Sequence, residues 1–433
     1  MIFPIDVIAD VGEFLGTDAL VPFGRTSKNM HEHTLTILKS REKSRYLFYS
    51  NPESLLNGDE GYNRRGAMIH SADPIDGSTH YVANIDCRNG PVNHDVVHSP
   101  CNKWIYAVTD NGNFNCYCSF TGRFVWTANV GKPRGQMIIS STGRYIILVT
   151  TSFLISVKSA CLCCIDTCCR SVTWKTSVGE DDMCFPEYYT STPRFSIDEK
   201  SVFFFTGLYH LCQVNLDDGS IIWYSDDTYR RYESDGFCVY DDYIIFVHDD
   251  FPPDAWDVPQ KGIVCISATT KQVVWDSIRL HGKFVIDTEK SILFVADDNL
   301  VAVDVHTGGS MGWYSFNYSF ASYTPIIWKD SIIVCEYAAG GLHKISRDVD
   351  SSTWNHGSVD ATTVEPELDN TAWYYELENG DMVVSSPVLD DGNGRVIFGT
   401  NSNKIYSLDI DSGDQIWTTS ITDTIMWQTP VVC

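Results

Sequence analysis

The feature that most restricts the fold is a unit that recurs along the chain and ends each time in tryptophan. Its clearest copy is Lys404-Ile-Tyr-Ser-Leu-Asp-Ile-Asp-Ser-Gly-Asp-Gln-Ile-Trp417. The apolar alternation suits a strand, Asp411-Ser-Gly413 supplies a tight turn, and a second strand closes in the aromatic. Gly413 provides the positive φ that such a turn demands. Counted back from the Trp, an Asp, Asn or Ser stands near eight residues earlier and usually a Gly about four earlier. Trp223 follows Asn215 and Gly219, Trp126 follows Gly122, and Trp354 follows Ser346 with Asp350 at the Gly place. Looser copies end at Trp174 after Asp166, at Trp275 after Ser267, and at Trp313 after Asp304 and Gly308, which makes seven.

A pair of short apolar runs precedes each copy, as in Ser386-Pro-Val-Leu389 with Arg395-Val-Ile-Phe398, or Tyr323-Thr-Pro-Ile-Ile327 with Ser331-Ile-Ile-Val-Cys335. Four strands in each unit of ~40 residues is the arithmetic of a β-propeller, whose blades bury their faces on one another. The terminal aromatic is expected to pack between neighbouring blades. Two fragments remain. Residues 69–81 fit the frame, with Asp73, Gly77 and Tyr81 where Asp409, Gly413 and Trp417 stand, but lack a leading strand. The chain stops at Gln428-Thr-Pro-Val-Val-Cys433, a leading strand with nothing after it. Joining them makes an eighth blade from both termini and removes exposed edges. The expected fold is therefore all-β: an eight-bladed β-propeller of four-stranded antiparallel blades over residues 44–433, closed by 44–83 with 428–433, and preceded by a small α-helical segment over 1–43. Residues 355–372 and 251–259 read as long loops, where binding tends to reside.

The repeat resembles the pyrroloquinoline-quinone-like propeller family, whose blades carry an Ala-x-Asp-x-x-Thr-Gly-x-x-x-Trp type motif. The resemblance runs from about residue 44 to residue 433 and implies the fold. It leaves function open, because the family includes quinone-dependent dehydrogenases and purely protein-binding scaffolds.

Composition narrows the partners. With 43% hydrophobic and 20% charged residues the chain is globular rather than disordered. Its 31 basic against 56 acidic residues give a formal charge of -25, which repels phosphate backbones and anionic lipid, so neither nucleic acid nor membrane is an expected partner. Residues 1–15 hold Asp6, Asp10 and Glu13 and no basic residue, the wrong charge for a secretory leader. Fifteen cysteines, an odd count in a large chain, read as reduced thiols. The expected location is intracellular, cytoplasmic or nuclear, and the host cytoplasm for a viral protein.

Residues 1–45 differ from the rest, carrying six acidic and six basic residues, and their periodicity is helical at Val7, Ile8, Val11, Phe14 and Leu15. This order resembles an F-box. Phe3-Pro4 takes the Leu-Pro place, Val7, Ile8 and Val11 the first helix, Leu15 and Leu20 the two leucines, and Thr26-Ser27-Lys28 the Val-Ser-Arg place. Met30 stands where Trp is usual and Gly16 where the first Asp is usual. So short a segment buries too little surface to fold alone and must pack on the propeller or on another protein. The resemblance implies the second: Phe3, Pro4, Val7, Ile8, Val11, Leu15 and Leu20 would dock on the Skp-type adaptor of a cullin-RING ubiquitin ligase.

Other groups invite chemistry and fit structure better. Cys161-Leu-Cys163-Cys164-Ile-Asp-Thr-Cys168-Cys169 falls on an ordinary third strand and its turn, and alternation sends Cys163 and Cys164 to opposite faces. Zinc sites prefer two Cys-x-x-Cys pairs, which are not present. His94-x-x-x-His98 and His31-Glu-His33 lack a third ligand, and Asp217-Asp218, Asp241-Asp242 and Asp249-Asp250 suit turns. Trp256, Trp328, Trp373 and Trp427 lie outside the repeat register and are candidate recognition anchors. The expectation is a protein-binding receptor with no catalytic residue, cofactor or metal, whose acidic propeller takes a client with a basic face. A scaffold without a ligase link and a quinone-dependent oxidoreductase are the alternatives.

Overall fold

The structure, a computed structural model, describes residues 46–50, 68–73, 76–84, 431–432 and most of 96–420. Within the last span it leaves out connecting segments, the longest being 178–191, 251–259, 316–322 and 356–371. Seven antiparallel sheets follow one another, each made from consecutive strands. They are blade 1 (97–129), blade 2 (132–177), blade 3 (194–228), blade 4 (237–277), blade 5 (283–315), blade 6 (326–376) and blade 7 (388–420). A closing sheet unites the ends of the chain: Val431–Val432 pairs with Tyr46–Ser50, followed outward by Met68–Ala72 and Thr79–Asn84.

The sequence expectation of an eight-bladed ring bearing a helical segment is corrected to an all-β propeller with seven blades of uninterrupted chain. The overturning finding is the strand order: only seven stretches supply every strand of their own sheet, while the end fragments complete each other's hydrogen bonds as a latch. Among the described residues there is no α-helix, only a 3-10 turn at Asp391–Asn393, and no helix long and apolar enough to cross a membrane. The helical segment expected over 1–43 lies outside the described residues. Blade 2 also departs from four strands, because Lys132–Pro133 and Ile138–Ile139 both pair with Tyr145–Leu154.

First strands are innermost: Arg194–Phe195 lies beside Phe237–Tyr240, Lys283–Asp287 beside Ile326–Trp328, and Val388–Asp390 beside Val431–Val432. Second strands are covered on both faces, so they read as unbroken apolar runs; Ile292–Ala296 and Ser201–Phe205 are buried at every residue. The core is a set of layers between blades. One joins Ile245, Trp275, Leu293 and Val303, the next Phe294, Ile332, Val334 and Trp354. Fourth strands alternate, as in Ser171–Ser177.

The tryptophans explain the repeat. Four land on the glycine turn of the following sheet: Trp174 on Gly219, Trp275 on Gly308, Trp373 on Gly413 and Trp417 on Gly77. At Gly308 a Cβ would stand 2.7 Å from the indole of Trp275, so the ring occupies the space a side chain would need. The indole N–H then donates to a carbonyl beyond the ring, from Trp174 to Leu216 at 2.7 Å, from Trp275 to Val305 at 2.7 Å and from Trp373 to Ile410 at 3.0 Å. The residue eight or nine before the Trp closes the turn from within its own blade. Asp409 Oδ1 accepts from the N–H groups of Asp411 and Ser412, and Asp304 Oδ1 from those of His306 and Thr307.

Blade 6 corrects the expected register. Its fourth strand is Trp373–Glu376, and Trp354 instead stacks near Phe294 at 5.7 Å, while Trp313 and Asn355 exchange backbone hydrogen bonds of 3.0 and 2.8 Å. The long segment after residue 355 thus separates the third and fourth strands of one blade.

In every sheet except blade 6 the pairing of third and fourth strands shifts by a bulge near the Trp, for example between Cys265 and Ile266 or between Ser407 and Leu408. The residue just before the Trp is pushed out, which is why Ile222, Val274 and Ile416 are exposed apolar side chains.

Antiparallel order sorts the connections onto two ends. First-to-second and third-to-fourth connections share one end, here the turn end; second-to-third and blade-to-blade connections share the other. Most turn-end links are tight, such as 99–103, 140–144 and 410–414, and 355–372 is the long one. Residues 251–259, 178–193 and 316–325 belong to the opposite end. Tyr46 begins a second strand, so the chain enters the ring at the turn end.

Candidate functional site

The residues expected to dock on an adaptor, Phe3, Pro4, Val7, Ile8, Val11, Leu15 and Leu20, lie outside the described residues, as do His31, His33, His94, Trp256 and Trp427. The remaining candidates are distributed. Trp328 is a buried inner-strand residue whose indole N–H reaches Asp411 at 3.5 Å, and Trp373 is the docking aromatic of blade 6. Both are explained by packing.

The cysteine run behaves as alternation dictates. Cys163 faces the layer between blades 1 and 2, with Tyr106 and Cys116, and Cys164 faces the layer between blades 2 and 3, with Val202 and Cys212. Burial pushes the Cys163 thiol up to about 12 and that of Cys164 to about 11, so both stay protonated and unreactive. Among the described residues no three His, Cys, Asp or Glu side chains converge as metal ligands.

Two of the three acidic pairs perform turn chemistry, whereas Asp249 and Asp250, expected at a turn, end the strand Tyr243–Asp250 and pair with Lys261 and Gln260. Asp218 Oδ1 accepts from the N–H and hydroxyl of Ser220 at 2.9 and 2.7 Å. At Asp242 burial favours the neutral acid, but hydrogen bonds from Ser267 and Thr269 prevail and hold the carboxyl below its ordinary range.

One polar group was not foreseeable from spacing. Between blades 5 and 6, His343 Nε2 lies 3.2 Å from Glu336 Oε2, and each side chain is 1% exposed. The His343 ring lies tilted against Tyr374 at 4.7 Å and meets Tyr314 edge-on at 6.1 Å. Burial, then the nearby Glu336 carboxylate, push the Tyr314 hydroxyl up to about 12. Partners from four strands make this cluster, so only a His inside the apolar run Gly341-Leu-His-Lys-Ile345 signals it in sequence. Its burial makes it a polar lock between blades. Lys344 performs a similar task toward blade 7, donating to Ile410 O at 2.9 Å.

A quinone on the axis would need fixed cations and a metal-binding set. The described innermost strands carry Arg194 and Lys283 beside aliphatic residues, of which Val97, Ile139, Val285 and Ile327 pack into the layers between blades, and no metal-binding set converges among the described residues.

Comparison with known proteins agrees with this architecture. The family model described as outer membrane protein assembly factor BamB matches residues 119–356 and 213–425. No curated protein matches the sequence. Solved structures share the fold at low identity. BamB from Moraxella catarrhalis is 12% identical with a TM-score of 0.50, covering 80% of this chain and 92% of that one. Dihydro-heme d1 dehydrogenase NirN in complex with DHE is 10% identical with a TM-score of 0.61, covering 90% and 75%. The C-terminal WD40 domain of Sif2 is 9% identical with a TM-score of 0.55, covering 78% and 89%. With a family match that spans residues 119–425, the chain belongs to the propeller family described as outer membrane protein assembly factor BamB.

Proposed function

We propose that this chain is a non-catalytic receptor that joins a client protein to a Skp-type adaptor of a cullin-RING ubiquitin ligase. The general part of this reading, a propeller scaffold for protein interaction, rests on the family match and the fold. The observation that carries the specific part is the order Phe3-Pro4, Val7, Ile8, Val11, Leu15, Leu20 in a segment too small to bury its own apolar side chains. The topology favours a division of labour. The segment joins the ring at the turn end, whereas most long connections lie at the other, so adaptor and client would occupy opposite ends. Ubiquitin transfer would then gain from effective concentration, with no bond made or broken by this chain. The acidic excess suits a basic client face and an association that weakens as salt rises.

The test is co-elution of full chain and adaptor. Pro4→Ala with Leu15→Asp should abolish it while the far-UV spectrum of the propeller is retained. Failure of the wild-type chain to retain adaptor at micromolar concentration refutes the ligase link. The second reading, a scaffold without that link, is favoured by the family match, which covers the propeller alone.

A further inference from the structure

At the turn end, two neighbouring blades bring exposed thiols to one seam. Cys101 sits on the first turn of blade 1, and Cys168 and Cys169 on the third-to-fourth turn of blade 2; all three are exposed. Real contacts hold these turns together. A Cβ on Gly143 would stand 2.8 Å from Pro100 Cδ, so the first turns of the two blades touch with no room for a side chain. Thr167 Oγ1 donates to Gly143 O at 2.9 Å. The residues adjoining Cys101 and Cys168 therefore meet on the same glycine.

Beneath the seam, the 2%-exposed Tyr106 places its hydroxyl on Thr167, within electrostatic reach of Cys101 and Cys168 alike. The blade 2 turn is also fixed, because Asp166 Oδ1 accepts from the N–H groups of Cys168 and Cys169 at 2.8 and 3.0 Å. Here the usual blade-to-blade lock is altered: Arg170, at φ 57°, stands where the docking glycine stands in blades 3 and 7.

We propose that Cys101 and Cys168 form a reversible disulfide that staples blade 1 to blade 2, with glutathione disulfide as the oxidant. The exposed Cys168, as its thiolate, attacks one sulfur of the oxidant, and one glutathione thiolate leaves. Cys101 gives its proton to solvent and attacks the Cys168 sulfur of the mixed disulfide, expelling the second glutathione. Two protein thiols lose two electrons, and one glutathione disulfide becomes two glutathiones. A Cys168–Cys169 bond would be strained, because successive Cα atoms are about 3.8 Å apart, short of the roughly 4.4–6.8 Å a relaxed disulfide spans.

The experiment equilibrates the reduced full chain with glutathione buffers of increasing oxidised fraction, quenches with acid, alkylates free thiols and maps tryptic peptides by mass spectrometry. The expected product joins the peptides of residues 89–103 and 159–170 with the loss of two hydrogens. It should vanish in Cys101→Ser and in Cys168→Ser and persist in Cys169→Ser. The melting temperature of the wild type should rise on oxidation and fall back with dithiothreitol, a shift absent from Cys101→Ser. Absence of reaction, a glutathione adduct that never resolves, or a cross-link surviving either Cys101→Ser or Cys168→Ser would overturn the proposal.

Discussion

Replacing Gly308 by alanine tests the idea that an indole resting on a bare turn holds one blade to the next. The residue has φ 71°, and an added Cβ would lie 2.7–2.9 Å from three atoms of the Trp275 ring. The left-handed conformation costs a non-glycine residue about 1–2 kcal/mol. Forcing a methyl against a packed ring adds about 1–3 kcal/mol. Because Trp275 is only 8% exposed and its N–H bond to Val305 O is 2.7 Å, the ring can yield only by giving up that bond as well, about another 1 kcal/mol. The expected loss is about 3–6 kcal/mol. Gly309→Ala is the internal control: its φ is not positive and its Cβ would meet only Thr307 Oγ1, at 3.3 Å, so a change within about 0.5 kcal/mol is expected. Urea unfolding followed by tryptophan fluorescence and far-UV circular dichroism reads both. If Gly308→Ala costs no more than Gly309→Ala, the glycine is not there for the indole and the docking argument fails.

Two further outcomes use the same measurement. Arg347 holds the almost fully buried carboxylate of Asp287 at 3.2 Å, joining blades 5 and 6, so Arg347→Met should cost about 3–5 kcal/mol, and adding Asp287→Asn should recover much of it. Acid stability should depend on Asp166, whose burial would raise its pKa but whose bonds from the N–H of Cys169, from Arg144 and from the N–H of Cys168 lower it. A depressed carboxyl stabilises fully above its unfolded value of about pH 4, and that contribution disappears as pH falls through the folded value. Melting temperatures taken from about pH 5 down to 2 should therefore fall less steeply in Asp166→Asn than in the wild type; parallel curves would contradict this.

Much of the fold was legible because packing here is periodic. Trp223 and Trp417 announce their blades since the same glycine turn and Asx bond recur at fixed spacing. Trp354 misled because a frame counted along the chain is blind to a loop inserted within a blade; Ala372-Trp-Tyr-Tyr-Glu-Leu, with its strand-like alternation of half-buried and exposed residues, was the truer signal. Lys271, at φ 63°, hides the glycine place of blade 4, and its amine lies over Trp223 at 5.1 Å instead. The face assignment of Cys163 and Cys164 followed from strand alternation alone. The cluster of His343, Glu336 and Tyr314 did not, because its members come from separate strands of two blades that only tertiary packing brings together. The residues at 3–20 proposed to dock on an adaptor lie outside the described residues, and their reading rests on sequence.

The displaced pairing at the outermost strands governs how such rings meet one another. A straight margin bearing Ile222 or Val274 would invite a neighbour to extend the sheet. Kinked at one recurrent spot in every sheet but that of blade 6, most of the perimeter offers no flat ribbon on which a foreign ladder could continue, so lateral polymerisation is discouraged there even though oily side chains remain on show.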